Sequence, residues 1–519
     1  MTTTQGKKKI KFLLIDPPHR IWDILKAWVP SPGCLQLAAY LEDSFAIDFM
    51  DCTLNKNPWH DLETKLAESK PDVVGISVGC TYFTYDGYNA AALVKNVLPD
   101  AIVYMGGAHP TLNSEECFAE CPEIDFICMG EGEITTKEFL ANIEDGNPDF
   151  SHILGLSYRG PDNKVVYTGK RPMIEDLDSL PMPAYHLVDM EHPFVGLPSE
   201  GNRAFLVNFA RGCGFRCKFC SESVFWERKW RGRCPELIGD ELELLKKKYD
   251  RDTFYVGDNI FNFTRERSKG FIKQMKKRQL GQHFWLQSRA DLVVRDADLM
   301  QGFKEAGVYQ FMLGVEYSNQ EVLDSLDKDL SMATVEKAMQ ILQKHEFMIM
   351  ATLMIGHWDE TKEDRQKLFD FCTKYVNHFG LNVVTPLPGT EFHKEMKELG
   401  RLKTEDYRKY DYIQATMPTK EISSLDKITE LHLGMIRKFY WRPVELWRMF
   451  FSKNPILRHH HKYFMKYGFE VMQHEVFGKP LWVQDNFQTF ESFLRERGKP
   501  IHDSFKGFEP DEAVELFKD

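Results

Sequence analysis

Residues 211–222 read Arg-Gly-Cys-Gly-Phe-Arg-Cys-Lys-Phe-Cys-Ser-Glu, and they constrain the chain more than any other stretch. Cys213, Cys217 and Cys220 follow a C-x3-C-x2-C spacing, so three sulfurs can converge on one small object. The apolar run 204–210 precedes them and reads as a strand. Gly212 and Gly214 let the backbone turn tightly between that strand and the sulfurs. Soft thiolates crowded on a loop suit an iron–sulfur cluster or zinc. Three ligands are one too few for a closed four-iron cluster or a structural zinc site. The shortage points to a four-iron cluster with one iron open to something else. Zinc, with Cys234 or a histidine as fourth ligand, is the plainer alternative.

Composition sets the context for those sulfurs. A chain of 519 residues exceeds one ordinary domain, and 43% hydrophobic content is ample for real cores. The net charge of −11 argues against general nucleic-acid binding. Eleven cysteines is an odd number, and no secretory leader opens the chain. A reduced, cytoplasmic compartment is expected, where clustered cysteines bind metal rather than pair. No apolar run approaches the roughly 20 residues of a membrane span. The longest, 347–356, fits a buried strand.

Short apolar runs at 10–15, 46–50, 73–77, 102–105 and 126–129 alternate with helical patterns. Such alternation predicts an α/β fold opening with a doubly wound parallel sheet. Glycines and small polar residues gather after these strands, where such sheets bind ligands. Residues 153–158 and 164–168 predict a hairpin, and 180–185 an extended linker. From residue 203 the alternation resumes as six strand–helix units in about 190 residues. A full eight-unit barrel typically uses about 250, so a partial (β/α)6 barrel fits better. The stretch from 401 is helical in pattern, aromatic and basic: a substrate cap, a membrane-surface helix or simple packing. The expected division is 1–145, a sheet domain; 146–200, a linker with a hairpin; 201–400, the barrel; and 401–519, the helical region. Cys117, Cys121 and Cys128 run into a predicted strand and read as core, Lys246–Lys248 as a solvated helix face, and His459–His461 as surface.

The cysteine spacing after a strand, with Phe219 before the last cysteine, resembles the radical S-adenosylmethionine (SAM) superfamily over roughly residues 200–400. That resemblance implies a [4Fe-4S] cluster on Cys213, Cys217 and Cys220 whose open iron chelates SAM. One electron then cleaves SAM to methionine and a 5′-deoxyadenosyl radical. It also implies SAM contacts at successive strand ends. Gly257 and Asp258 would meet the methionyl amino group, while Ser288 and Arg289 would grip the carboxylate. Glu316 would accept from ribose hydroxyls, with Phe219 and Gly356 completing the set.

The order of the two α/β domains resembles the cobalamin-binding radical SAM class. Ser77 and Gly106-Gly107 match that fold's serine and double-glycine positions, and 30–33 and 130–133 look like segments of it. His109 is a candidate nucleotide contact. The match departs at Asp16-Pro-Pro-His19, where the histidine is shifted and no glycine follows. No histidine lower ligand to cobalt is therefore expected, and His19 reads as structural. In class and layout the chain resembles cobalamin-dependent radical SAM methyltransferases and the anaerobic magnesium-protoporphyrin monomethyl ester cyclase. The expectation is an anaerobic enzyme that methylates an unactivated carbon of a small-molecule substrate through methylcobalamin. A flavodoxin- or ferredoxin-like donor would supply the electron, with peripheral membrane contact left open. Oxidative cyclisation without methyl transfer is the second reading, and a non-catalytic metal sensor the third.

Overall fold

A computed structural model describes residues 9–18, 30–53, 57–190, 204–451 and 488–497, with single positions at 458, 462 and 469. His19 and His459–His461 lie outside these residues. The five N-terminal apolar runs form β1 (Lys11–Asp16), β2 (Ala46–Asp51), β3 (Val73–Ser77), β4 (Ile102–Gly106) and β5 (Phe126–Cys128). All pair in parallel, in the order β2-β1-β3-β4-β5. They can do so because helices cover both faces; β3 shows four buried positions in succession. The strand order reverses between β1 and β3, the point where a crevice opens beyond the carboxyl ends.

The predicted hairpin is β6 (Leu156–Arg159) and β7 (Val165–Tyr167). It is not free-standing: β6 pairs antiparallel to β5 and extends the first sheet to seven strands.

The second sheet holds β8 (Ala204–Val207), β11 (Thr253–Val256), β12 (His283–Ser288), β13 (Val308–Glu316), β14 (Met348–Ile355) and β15 (His378–Val383). These six are parallel and in chain order, a partial barrel. The run 204–210 is not one strand. After Val207 the chain leaves the barrel, and β9 (Ala210–Gly212) pairs antiparallel with β10 (Trp230–Gly232). Asp258 causes the break, since its Oδ1 accepts from the backbone N–H groups of Phe209 and Ala210 at 2.6 and 2.8 Å.

The C-terminal stretch divides. Helix Leu425–Tyr440 packs on the barrel at β15, where His432 Nε2 meets the carbonyl of Leu381 at 2.8 Å. Helix Phe490–Arg497 instead returns to the first sheet's helices. Phe490 stacks near Trp59 with centroids 4.5 Å apart, and Arg497 Nε donates to Glu63 at 2.9 Å. That helix packs on the first domain rather than over the barrel mouth. No helix among the described residues is long and apolar enough to cross a membrane.

Candidate active site

Cys213, Cys217 and Cys220 lie between β9 and the short helix Ser221–Phe225. All eleven cysteines are free thiols. Burial raises the pKa of each cluster thiol, Cys220 to about 12. After burial, Cys217 raises Cys213, and Glu222, Cys217 and Cys213 raise Cys220, so the thiols share one electrostatic space. Arg289 and Lys328 pull Cys213 and Cys217 back down. Among the described residues no group of three or more His, Cys, Asp or Glu side chains is arranged to hold a single metal ion. Cys234, considered as a fourth zinc ligand, stands at the N-cap of helix Pro235–Tyr249 with its N–H on Asp178 Oδ1. Three soft sulfurs with two nearby cations fit an anionic cluster, whose corner irons each take one thiolate.

The expected SAM contacts fall around this loop, but four are already engaged by protein groups. Asp258 is buried, and its second oxygen accepts from Arg267 Nη2 at 2.8 Å. It fixes the turn into the cysteine loop. Arg289 spends all three nitrogens: Nε on Asp291, and Nη1 and Nη2 on the carbonyls of Lys328 and Asp329 at 3.0 and 2.8 Å. Its guanidinium lies 3.7 Å from the centroid of Phe215, inside the cysteine loop. Through these contacts Arg289 braces two loops. Glu316 Oε1 accepts from Lys328 Nζ at 2.6 Å, both side chains buried. Burial lowers the Lys328 pKa, but Glu316 and Cys217 outweigh it and hold the ammonium charged. Ser288 Oγ donates to Asn262 Oδ1 at 2.6 Å.

Gly257 and Phe219 remain available. A Cβ at Gly257 would stand 2.4 Å from Asn208 Oδ1, so the Asn208 side chain packs directly over its bare backbone. Phe219 is half-buried with the Lys328 ammonium 6.0 Å from its ring. Gly356 donates its N–H to Glu360, whose burial pushes its pKa to about 8.

The first sheet's strand ends face the same region. One cavity of about 350 Å³ is lined on one side by Ser31, Gly33, Ser77, Gly106, Gly107, Gly130 and Gly132. Its other side is Asn208 to Gly212, Glu222, Trp226, Gly257 and Asn259. Gly212 directly precedes Cys213, and Glu222 follows Cys220 by two positions. Gly107 has φ +109°, and a Cβ there would strike the carbonyl of Val78 at 2.3 Å. Bare backbone at these positions leaves room for a large flat ligand. Burial pushes Cys34 in this wall to about 12.

His109 lies outside the cavity lining, buried with Nδ1 3.1 Å from Thr81 Oγ1 and its ring 5.0 Å from that of Tyr407. Burial holds its pKa down at about 3, so the ring is neutral, and its Nε2 has no hydrogen-bond partner among the described residues.

Several residues were not singled out by sequence. Arg211 Nη1 donates to Glu131 Oε1 at 2.6 Å, and Arg211 Nη2 to Glu133 Oε1 at 2.5 Å. Arg231 Nη1 reaches Glu131 Oε2 at 2.8 Å and the carbonyl of Ile174 at 2.6 Å. This buried clamp joins the glycine loop of the first sheet to the strand entering the cysteine loop. Tyr412, from the C-terminal stretch, brings its hydroxyl 4.0 Å from Cys80 Sγ. Its phenol also feels Cys220 and Glu222. The visible signal was Arg211 beside the motif and paired glutamates at a strand end. Only folding brings them together.

A doubly wound sheet and a partial barrel thus share one cavity, and the three-cysteine loop begins directly after its lining residue Gly212. The B12 binding domain family matches residues 25–140, and the Radical SAM superfamily matches residues 207–372. An anaerobic magnesium-protoporphyrin IX monomethyl ester cyclase of Rubrivivax gelatinosus is 30% identical over 403 residues, covering 76% of this chain and 71% of that one. An uncharacterized methyltransferase of Pyrococcus horikoshii is 28% identical over 462 residues, 88% of this chain and 97% of that one. The cobalamin-dependent radical enzyme OxsB, solved with aqua-cobalamin and SAM bound, superposes with a TM-score of 0.68 at 15% identity, covering 98% of this chain and 78% of that one. The chain belongs to the cobalamin-binding radical SAM family. Its cofactors are a [4Fe-4S] cluster, SAM and cobalamin.

Proposed function

We propose that this enzyme C-methylates an unactivated carbon of a small-molecule substrate. The observation that carries the reading is the shared cavity. Its walls come from the carboxyl ends of both sheets, so cobalamin on one side and SAM on the other would address one substrate between them. Relatives named as methyltransferases support it: beside the Pyrococcus protein, a hopanoid C-3 methylase of Methylococcus capsulatus is 24% identical over 367 residues. When bound, the cofactors supply a carbon-centred radical oxidant and a transferable methyl group.

The protein's part is binding, orientation and exclusion of water. Cys213, Cys217 and Cys220 would hold the cluster. Ser77, Gly106 and Gly107, with Ser31 and Gly33 from the start of helix Pro32–Leu41, would receive the corrin and its tail. Gly257, Phe219 and Gly356 would contact SAM. Asp258, Arg289 and Glu316 act one step back. They hold the cysteine loop through Phe209, Phe215 and Lys328. Residues 1–145 and 201–400 would work as the two cofactor domains, with 146–200 linking them. Cysteines free of disulfides and an oxygen-sensitive cluster suit an anaerobic cytoplasm with a flavodoxin- or ferredoxin-type donor.

The similarity to the cyclase favours a second reading, oxidative cyclisation of a tetrapyrrole-like substrate. Anaerobic turnover separates the two. Methylation yields S-adenosylhomocysteine together with 5′-deoxyadenosine; deoxyadenosine alone would sink the methyltransferase reading.

A further inference from the structure

Helix Pro443–Phe451 carries its aromatic side outward. Trp447, Phe450 and Phe451 are 59%, 59% and 64% exposed, and Trp441 and Val444 are exposed beside them. The rings of Trp447 and Phe451 lie 5.9 Å apart and those of Phe450 and Phe451 6.3 Å apart, so the patch is continuous. Its orientation is built in. Glu445 is 1% exposed and accepts from Arg442 Nη2 at 2.6 Å. Arg442 Nη1 donates to the carbonyl of Thr373, and its guanidinium lies 4.0 Å from the centroid of Phe439. Rolling the helix to hide its aromatics would pull Glu445 from this buried pair. A contiguous exposed aromatic patch on a folded protein marks a contact surface.

Charge identifies the partner. The chain carries −11 overall, yet residues 437–466 hold eight Lys and Arg against one Glu. Lys438, Arg458 and Lys462 are exposed. Cations on an otherwise acidic protein are drawn to an anionic surface that repels the rest of it. Tryptophan and phenylalanine exposed on a short amphipathic helix, within a stretch of sequence rich in cations, match the headgroup–acyl boundary of a bilayer. Nine residues are too few to span one, so the contact is peripheral.

We propose that helix Pro443–Phe451 and the basic residues around it dock this protein on an anionic lipid surface. The aromatics enter the acyl boundary, and the cations meet the headgroups. The docking does not depend on which reaction the cavity performs.

Flotation of the full-length reconstituted protein tests it. Vesicles of phosphatidylcholine mixed with phosphatidylglycerol should carry at least about tenfold more protein than phosphatidylcholine alone, and high salt should release it. Replacing Trp447, Phe450 and Phe451 together by Ser should lower the bound fraction about tenfold, with iron content and unfolding midpoint unchanged. Arg458→Glu with Lys462→Glu, which keeps the aromatics, should weaken binding to the anionic vesicles alone. Equal binding by parent and variants, or flotation with neither vesicle, overturns the proposal. So does a concentration-dependent dimer that the Ser variant abolishes in the absence of flotation; the patch would then belong to a second copy.

Discussion

Asp258→Asn tests whether the family's expected SAM anchor is one here. The amide keeps an oxygen to accept from Phe209 and Ala210 but sets an N–H₂ group against Arg267 Nη2, now 2.8 Å from a carboxylate oxygen. Both side chains of the pair are at most 5% exposed. Unit charges about 4 Å apart attract by about 4 kcal/mol at the effective dielectric of such sites. Orphaning one member of a buried pair costs about 3 to 5 kcal/mol. The two routes agree, and burial, which raises the Asp258 pKa ahead of the opposing Arg267, places the net at the lower end. The expected loss is therefore about 3 kcal/mol, read anaerobically as a lower urea midpoint by tryptophan fluorescence. Cluster content after reconstitution should fall with it, because the destabilised turn feeds Cys213. Among molecules that retain the cluster, SAM affinity by equilibrium dialysis should stay within about threefold, less than 1 kcal/mol. A variant with parental stability and full cluster, but SAM binding weakened tenfold or more, would refute this reasoning and return Asp258 to the ligand.

Other perturbations follow from the same geometry. Glu131→Gln removes the charge shared by Arg211 and Arg231 and should cost about 3 kcal/mol; adding Arg231→Met should recover part of it in a double-mutant cycle. Gly107→Ala cannot fit its Cβ 2.3 Å from the Val78 carbonyl, so bound cobalamin should drop severalfold while iron content is kept. His109, His357 and His432 are buried neutral, with pKa values near 3, 4 and 4 against an ordinary 6.5. Their stabilising contribution is complete above about pH 6.5 and is lost as pH falls toward 4, because the unfolded chain takes up protons the folded one refuses; each is on the order of 3 to 5 kcal/mol. Acid unfolding should therefore begin just below pH 6.5, and His109→Gln should shift its onset down. Glu360 works oppositely: its raised value gives stability below about pH 4.5 that is lost as pH rises through about 8. Glu360→Gln should flatten that alkaline limb.

The sequence made legible whatever is local. The cysteine spacing, the apolar runs and the glycines after strands depend on neighbours within a few residues, and those readings of the fold hold. The protein partners of Asp258, Arg289 and Glu316 were not legible, because they come from elsewhere. Arg267 reaches Asp258 from the next helix, while Lys328 supplies both an ammonium to Glu316 and a carbonyl to Arg289. A polar residue after a strand looks the same whether it awaits a ligand or a protein partner. The surroundings of His109 were hidden for the same reason, since Tyr407 covers it from 298 residues away. The split of 204–210 was hidden because apolar residues resume after the single polar Asn208, while the hydrogen bonding changes hands at Asp258.

The clamp of Arg211 and Arg231 on Glu131 and Glu133 also sets an order of assembly. The glutamates leave the ribosome some 80 residues before Arg211. Until then the nascent first sheet holds two carboxylates with no cation, and its cavity lacks the wall that begins at Leu206. The clamp and the cavity wall that begins at Leu206 are therefore completed only after the second α/β unit has begun to emerge.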